Sequence, residues 1–250
     1  MNEKEKSMKK TFSFLVLFFF VLGLMVSPGL GQKSEKILEK MIEAQGGKKV
    51  LEKINDTTLT GTFEMPAMGI SGTMTVYQKE PNKMRWDAEM MGMMMTQAFD
   101  GETAWVIDPQ TGSAQEMPEK MAEDFKRGAL GRDTMLNPKK FGITYTHTGM
   151  EKIEDKDYLV LEQTFADGYK STLYVDPKTY LVYKSKGQSL NQSGVEVETE
   201  TYVSDYREVD GVMVAHTMKI YQDGEEFMTM TITEVTFNSD LEDSLFSMNE

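Results

Sequence analysis

Thr57-Thr58-Leu59-Thr60-Gly61-Thr62-Phe63-Glu64-Met65 and, after a turn over Pro66 to Gly69, Ile70-Ser71-Gly72-Thr73-Met74-Thr75-Val76-Tyr77 are the stretches whose period decides the fold. Apolar residues or glycines alternate with threonine, serine or glutamate. A period of two puts Leu59, Gly61, Phe63 and Met65 on one face of an extended chain and the threonines on the other. Two such segments around a Pro/Gly turn form an antiparallel hairpin with one apolar side.

The rhythm continues downstream. Glu80-Pro81-Asn82 turns into residues 83–91, Gly92 interrupts a run of methionines, and 93–99 follows. Asp100-Gly101 is a hairpin signal leading to Ala104 through Asp108. Extended segments resume at 143–148, 157–165, 169–175, 180–187, 195–205, 212–221 and 226–237, with turns at Asp167-Gly168, Asp176-Pro177, Asp210-Gly211 and Asp223-Gly224. Only two regions have helical spacing. In residues 34–54, Ser34 can cap a helix whose Ile37, Leu38, Met41 and Ile42 share a face, until Gly46-Gly47 breaks it. In residues 118–137, Met121, Phe125, Ala129 and Leu130 predict one or two short helices, stopped by Asn137-Pro138.

The expected fold is therefore mainly β (α+β): a curved antiparallel sheet of about eleven strands, thirteen at most, forming an unclosed half-barrel with a helical plug or lid. A sheet apolar on one face must cover that face or curl around a cover. The interior then has the character of a lipid-sized site.

Residues 1–31 read as a signal peptide. Lys4, Lys6, Lys9 and Lys10 precede an apolar run from Phe12 to Val26, and Gly29 and Gly31 place cleavage before Gln32. That run falls short of the ~20 residues that span a bilayer. Residues 32–250 are expected to be one domain, soluble in the periplasm after export. The formal net charge is −13, which argues against nucleic acid and anionic membrane surfaces. With no cysteine in the chain, packing alone must hold the fold.

Nine of the 22 methionines fall between Met65 and Met95. Thioethers suit an irregular apolar partner, fill cores, and are soft ligands for Cu(I). Alternation points Met90 and Met94, or alternatively Met91, Met93 and Met95, to a common face. His147 and His216 fall on apolar strand faces, the setting of satisfied buried groups. No Gly-x-Ser-x-Gly elbow or phosphate-cradling loop is present, so no enzymatic activity and no cofactor are expected.

Ala44-Gln45-Gly46-Gly47, Phe99-Asp100-Gly101-Glu102-Thr103-Ala104-Trp105, Tyr174-Val175-Asp176-Pro177-Lys178-Thr179, Asp205-Tyr206-Arg207-Glu208-Val209-Asp210-Gly211 and Asn238 to Phe246 occur in that order. Together they resemble the outer-membrane lipoprotein-sorting group of the LolA-like/LppX-like superfamily. Ala215-His216 stands where such proteins often carry proline. The resemblance implies an unclosed antiparallel barrel with a helical lid, a periplasmic location, and acyl chains of lipoproteins or other lipids as ligands.

The functional expectation is a non-enzymatic carrier that shields acyl chains in a hydrophobic half-barrel. It would work as a monomer, touch membranes only transiently and meet envelope transport partners. The expected ligand contacts are Phe63, Met65, Met74, Val76, Met84, Trp86, Met90 and Met94. Two alternatives stand beside it: a Met-rich Cu(I)-binding protein using Met91, Met93 and Met95, or an envelope structural or signalling module whose interior is filled by its own side chains.

Overall fold

The computed structural model describes residues 28–108, 111–191 and 193–248. Most of the expected signal segment thus lies outside the described residues. The rest is one 13-stranded antiparallel sheet in which nearly every strand pairs with its sequence neighbour. The strands are β1 (Asp56–Met65), β2 (Ile70–Lys79), β3 (Lys83–Met90), β4 (Met93–Phe99), β5 (Ala104–Ile107), β6 (Ala114–Glu116), β7 (Thr144–Ile153), β8 (Lys156–Thr164), β9 (Lys170–Val175), β10 (Val182–Leu190), β11 (Glu196–Val209), β12 (Val212–Gln222) and β13 (Glu225–Phe237). β6, three residues long, is the strand whose periodicity is too brief to read.

The chain's first and last strands are neighbours. β1 pairs with β13, from Thr57 opposite Phe237 to Glu64 opposite Thr229. The sheet opens instead between β6 and β7, its two edge strands. The segment between those edges carries helices α3 (Glu119–Ala129) and α4 (Asp133–Leu136), the two short helices expected there. α3 reaches β4, β5 and β10. Because β5 and β10 stand eight steps apart in the strand order, a flat sheet would separate them by roughly 38 Å. An eleven-residue helix is about 16 Å long. One helix touches both because the sheet curls around it.

The inner, helix-bearing face holds most of the apolar packing. From α1 (Pro28–Ala44), Ile37 and Met41 pack on Leu161 and Val175. From α3, Ala122, Phe125 and Ala129 pack on Met84, Phe99 and Ala104. α2 (Lys48–Leu51) and α4 fill the end where β1 begins and β13 finishes, with Leu51, Ile54, Met135 and Leu136 against Val212, Val214 and Phe237. Ser34 is not the helix cap expected of it. It lies inside α1, and its hydroxyl accepts a hydrogen bond from the His147 backbone N–H at 2.8 Å.

The outer face is covered separately. The Trp105 indole donates to the Phe246 carbonyl at 2.8 Å, and the Arg85 guanidinium donates to the Leu245 carbonyl at 3.0 Å. The C-terminal segment is thereby tied across β3 to β5. The motifs of the resemblance thus meet in space. Gln45 accepts from the Met213 N–H at 3.1 Å, which docks the end of α1 beside the Asp210-Gly211 turn.

Candidate functional site

The register assembles one row of side chains across the inner face, from mid-strand on β12 and β13 to the β3–β4 turn. Met218 lies opposite Met230, Met230 opposite Phe63, Phe63 opposite Gly72, Gly72 opposite Met90, and Met90 opposite Met93. The row crosses β12, β13, β1, β2, β3 and β4 without leaving the face. Gly72 is needed at its position. A β-carbon there would sit 2.8 Å from the Phe63 ring and 2.2 Å from the Glu89 carbonyl oxygen. The missing side chain lets Phe63 lie across β2, with its ring centroid 6.2 Å from that of Trp86.

Around Phe63 stand six thioethers. Met65 and Met74 are buried with it, and Met90, Met218, Met228 and Met230 are half-buried against it. Phe63 and Met74 are each 2% exposed, so the floor of this bed is closed to water. Its upper methionines are partly solvated. Sulfur–aromatic contact and unbranched side chains let such a surface reshape at little cost.

Seven of the eight expected contacts share this inner face. Phe63 and Met65 on β1 stand across from the strand that carries Met74 and Val76. Trp86 lies opposite Val76, and Met84 packs on Phe99 near α3. Met94 does not join them. It pairs with Glu89, points to the outer face and is 54% exposed. The cause is the turn. Met91 (φ 53°) and Gly92 (φ 76°) form a two-residue connection, both residues with positive φ. An even-numbered turn places Met90 beside Met93, so it is Met93 and Met95 that share the inner face with Met90. Met91 projects from the turn, and the three alternative Cu(I) ligands are split between turn and strand.

Met218, Met228 and Met230 escaped the sequence reading as members of this bed. They alternate cleanly along β12 and β13, but nothing in their local pattern says that β13 lies against β1.

The inner face changes character toward β8–β11. The Gln163 side-chain amide donates to the Tyr145 hydroxyl at 3.0 Å, Ser171 donates to Gln163 at 3.1 Å, and Ser189 meets Thr199 at 2.6 Å. Burial pushes the Tyr145 phenol up to about 12, so it stays neutral. Two cavities flank Tyr169 and Gln188. One of about 90 Å³ lies against Asp124, Arg127 and Ser189, and one of about 470 Å³ lies against Lys170, Thr172 and Lys186. None of the eight expected contacts lines either cavity. Arg127 pairs with Asp124 and, at 2.7 Å, with Asp167, and its guanidinium lies 4.4 Å from the Tyr169 ring centroid. These contacts bind α3 to the β8–β9 turn.

The histidines divide. His216 is buried, with Nδ1 2.9 Å from the Val214 carbonyl oxygen, as expected of a satisfied group. His147 has a buried Nε2 without a hydrogen-bond partner among the described residues. Also among the described residues, no three His, Asp or Glu side chains gather as a metal site, and no helix is long and apolar enough to cross a membrane.

A family model described as "-like: Uncharacterized protein" matches residues 75–250. No curated protein sequence matches the chain. Two solved structures share its fold. A LolA superfamily protein from Nitrosomonas europaea superposes with a TM-score of 0.59 at 17% identity, covering 86% of this chain and 97% of that one. A DUF1329 family protein from Desulfovibrio piger gives 0.58 at 12% identity, with the same two coverages. The chain therefore belongs to the family of that model, and its unclosed sheet with inner helices shares the fold of that LolA superfamily protein.

Proposed function

We propose that the protein is a non-enzymatic periplasmic carrier or binding protein that holds the acyl chains of a lipid or lipoprotein against the inner face of its half-barrel. One observation carries this reading: half-buried Met90, Met218, Met228 and Met230 surround the buried Phe63 on the concave side of a sheet that does not close. Soluble proteins seldom leave such a surface without a partner. The neighbouring hydroxyl and amide side chains of β8–β11 suit the polar end of an amphiphile. At ~0.8 kcal/mol per buried CH₂, a fourteen-carbon chain contributes roughly 10 kcal/mol before the cost of immobilising it.

In this reading residues 1–31 direct export and are removed, membrane contact is transient, and the carrier acts as a monomer that passes cargo between envelope partners. The two-residue Met91-Gly92 turn takes Met91 off the face that Met93 and Met95 share, so the set of three expected for Cu(I) does not converge, and the acyl reading is preferred. Native mass spectrometry of protein purified from its own periplasm, with lipid extraction, tests it. Co-purified lipid and saturable uptake of a fluorescent fatty acid are expected. Empty protein that takes up no probe refutes it.

A further inference from the structure

Exposed methionines concentrate where the inner face meets solvent. Met68 on the β1–β2 turn is 48% exposed; on the adjacent β3–β4 hairpin, Met91 is 79% and Met93 49% exposed, and Met94 stands out on the reverse side. The chain contains no cysteine, so no thiol of its own competes for an oxidant. Exposed thioethers are then the most readily oxidised atoms it presents.

We propose that the β3–β4 tip is an oxidant-responsive modification site in which Met93 is the switch and Met91 and Met94 are oxidised without consequence. The distinction rests on faces rather than on exposure. Met93 lies directly opposite Met90, and Met90 packs against the Phe63 cluster. The buried members of that cluster are Phe63, Met65, Met74, Ala88 and Ile232, whose side chains carry no hydrogen-bond donor. A sulfoxide oxygen at Met93 therefore finds no partner among these buried side chains, and the cluster's indole, Trp86, stands two same-face positions away, opposite Gln97. Either its side chain swings out to water or water enters the edge of the bed. Met94 lies opposite Glu89 on the outer face and Met91 sits in the turn, so their sulfoxides are solvated at once.

The chemistry needs only a peroxide. A methionine sulfur lone pair attacks one oxygen of hydrogen peroxide and the O–O bond breaks as the S–O bond forms. The departing hydroxide takes the proton of the transferred OH and leaves as water. Sulfur is oxidised by two electrons, the peroxide is reduced by two, and methionine sulfoxide reductases reverse the change. A more polar rim then grips an acyl chain less tightly. This consequence rests on the acyl-binding reading above, whereas the site selectivity does not.

The test exposes the purified exported chain to graded hydrogen peroxide and maps sulfoxides by peptide mass spectrometry. Met91, Met93 and Met94 are expected to oxidise roughly tenfold or more faster than buried Met65 and Met74. Wild-type protein oxidised to that stage loses affinity for a fluorescent fatty acid by about fivefold or more and regains it after reductase treatment. Met93→Leu keeps its affinity under the same dose, whereas the double variant Met91→Leu, Met94→Leu loses it as wild type does. Oxidation of Met93 no faster than of Met74, or equal loss in Met93→Leu, overturns the proposal. If the reduced protein takes up no probe, the acyl reading fails by itself and the switch is judged from Trp86 emission in a Trp105→Phe background. A red shift on oxidation that is absent from Met93→Leu upholds the switch, and no shift overturns it.

Discussion

Truncating two methionines of the inner bed separates a packed core from a surface kept for a ligand. Met74 is fully buried beneath Phe63, whereas Met230 is half-buried in the same cluster. Met74→Ala leaves a cavity with closed walls and is expected to cost about 2–5 kcal/mol. That corresponds to a urea midpoint lower by roughly 1 M or more. Met230→Ala removes three heavy atoms that are already partly wet, so its cost to folding is about 1 kcal/mol. In the proposed acyl-binding mode the same three atoms face the ligand. Losing them weakens binding by about 1–2 kcal/mol, or roughly 5–30-fold. Urea denaturation of the empty protein and titration with a fluorescent fatty acid measure the two effects separately. If Met230→Ala destabilises as much as Met74→Ala and leaves probe affinity unchanged, the bed is a closed core and the reasoning from its half-burial is wrong.

Two further outcomes follow from the packing. Gly46→Ala places a β-carbon 2.3 Å from the Gly211 carbonyl oxygen at a φ of +125°, whereas Gly47, at +83°, has open space around it. Gly46→Ala is expected to lose about 3 kcal/mol or more in denaturation and Gly47→Ala about 1 kcal/mol; equal losses refute the docking role of the Gly46–Gly211 contact. Trp105→Phe leaves the buried Phe246 carbonyl without its donor and should cost about 1–3 kcal/mol, with faster proteolysis of the C-terminal segment. Protection unchanged from wild type would show that the segment is held by other contacts.

The remaining outcome concerns pH. Burial raises the Glu80 carboxyl above its ordinary 4.5, against the lowering effect of the Asp133 and Arg132 amides and the Arg132 charge. A raised carboxyl pKa means that the folded state holds the proton more tightly than the unfolded one. Wild type therefore gains stability relative to Glu80→Gln as pH falls from neutral toward 4.5. A stability difference independent of pH, measured by urea denaturation, contradicts this sign.

Parity explains how much of the site was legible in the sequence. The Pro66 to Gly69 turn has four residues, so odd positions of β1 share a face with even positions of β2, as Phe63 does with Gly72. Glu80-Pro81-Asn82 has three, so even positions of β2 match even positions of β3, as Val76 does with Trp86. Both connections carry proline, glycine or asparagine and were read correctly. Met91-Gly92 lacks those markers apart from Gly92. Read as an interruption within a strand, it leaves Met94 beside Met90; built as a two-residue turn, it turns Met94 outward. Met91 adopts the positive φ that Asp210 and Asp223 adopt in comparable turns, a conformation whose cost of about 1–2 kcal/mol the hairpin must offset.

By itself the sequence determined what is local: period-two segments, the two helical regions, the turns with Asp-Gly or Pro, and which residues within a strand share a face. Those follow from backbone geometry and side-chain alternation over a few residues. The tertiary structure alone decided the pairing of β1 with β13, the opening between β6 and β7, and hence the meeting of Met218, Met228 and Met230 with Phe63. These contacts join segments some 160 residues apart, and their energy comes from burying apolar area and from helices that one curled sheet can enclose. No local pattern records where a sheet stops pairing, because every strand edge offers the same amide and carbonyl groups until packing chooses among them.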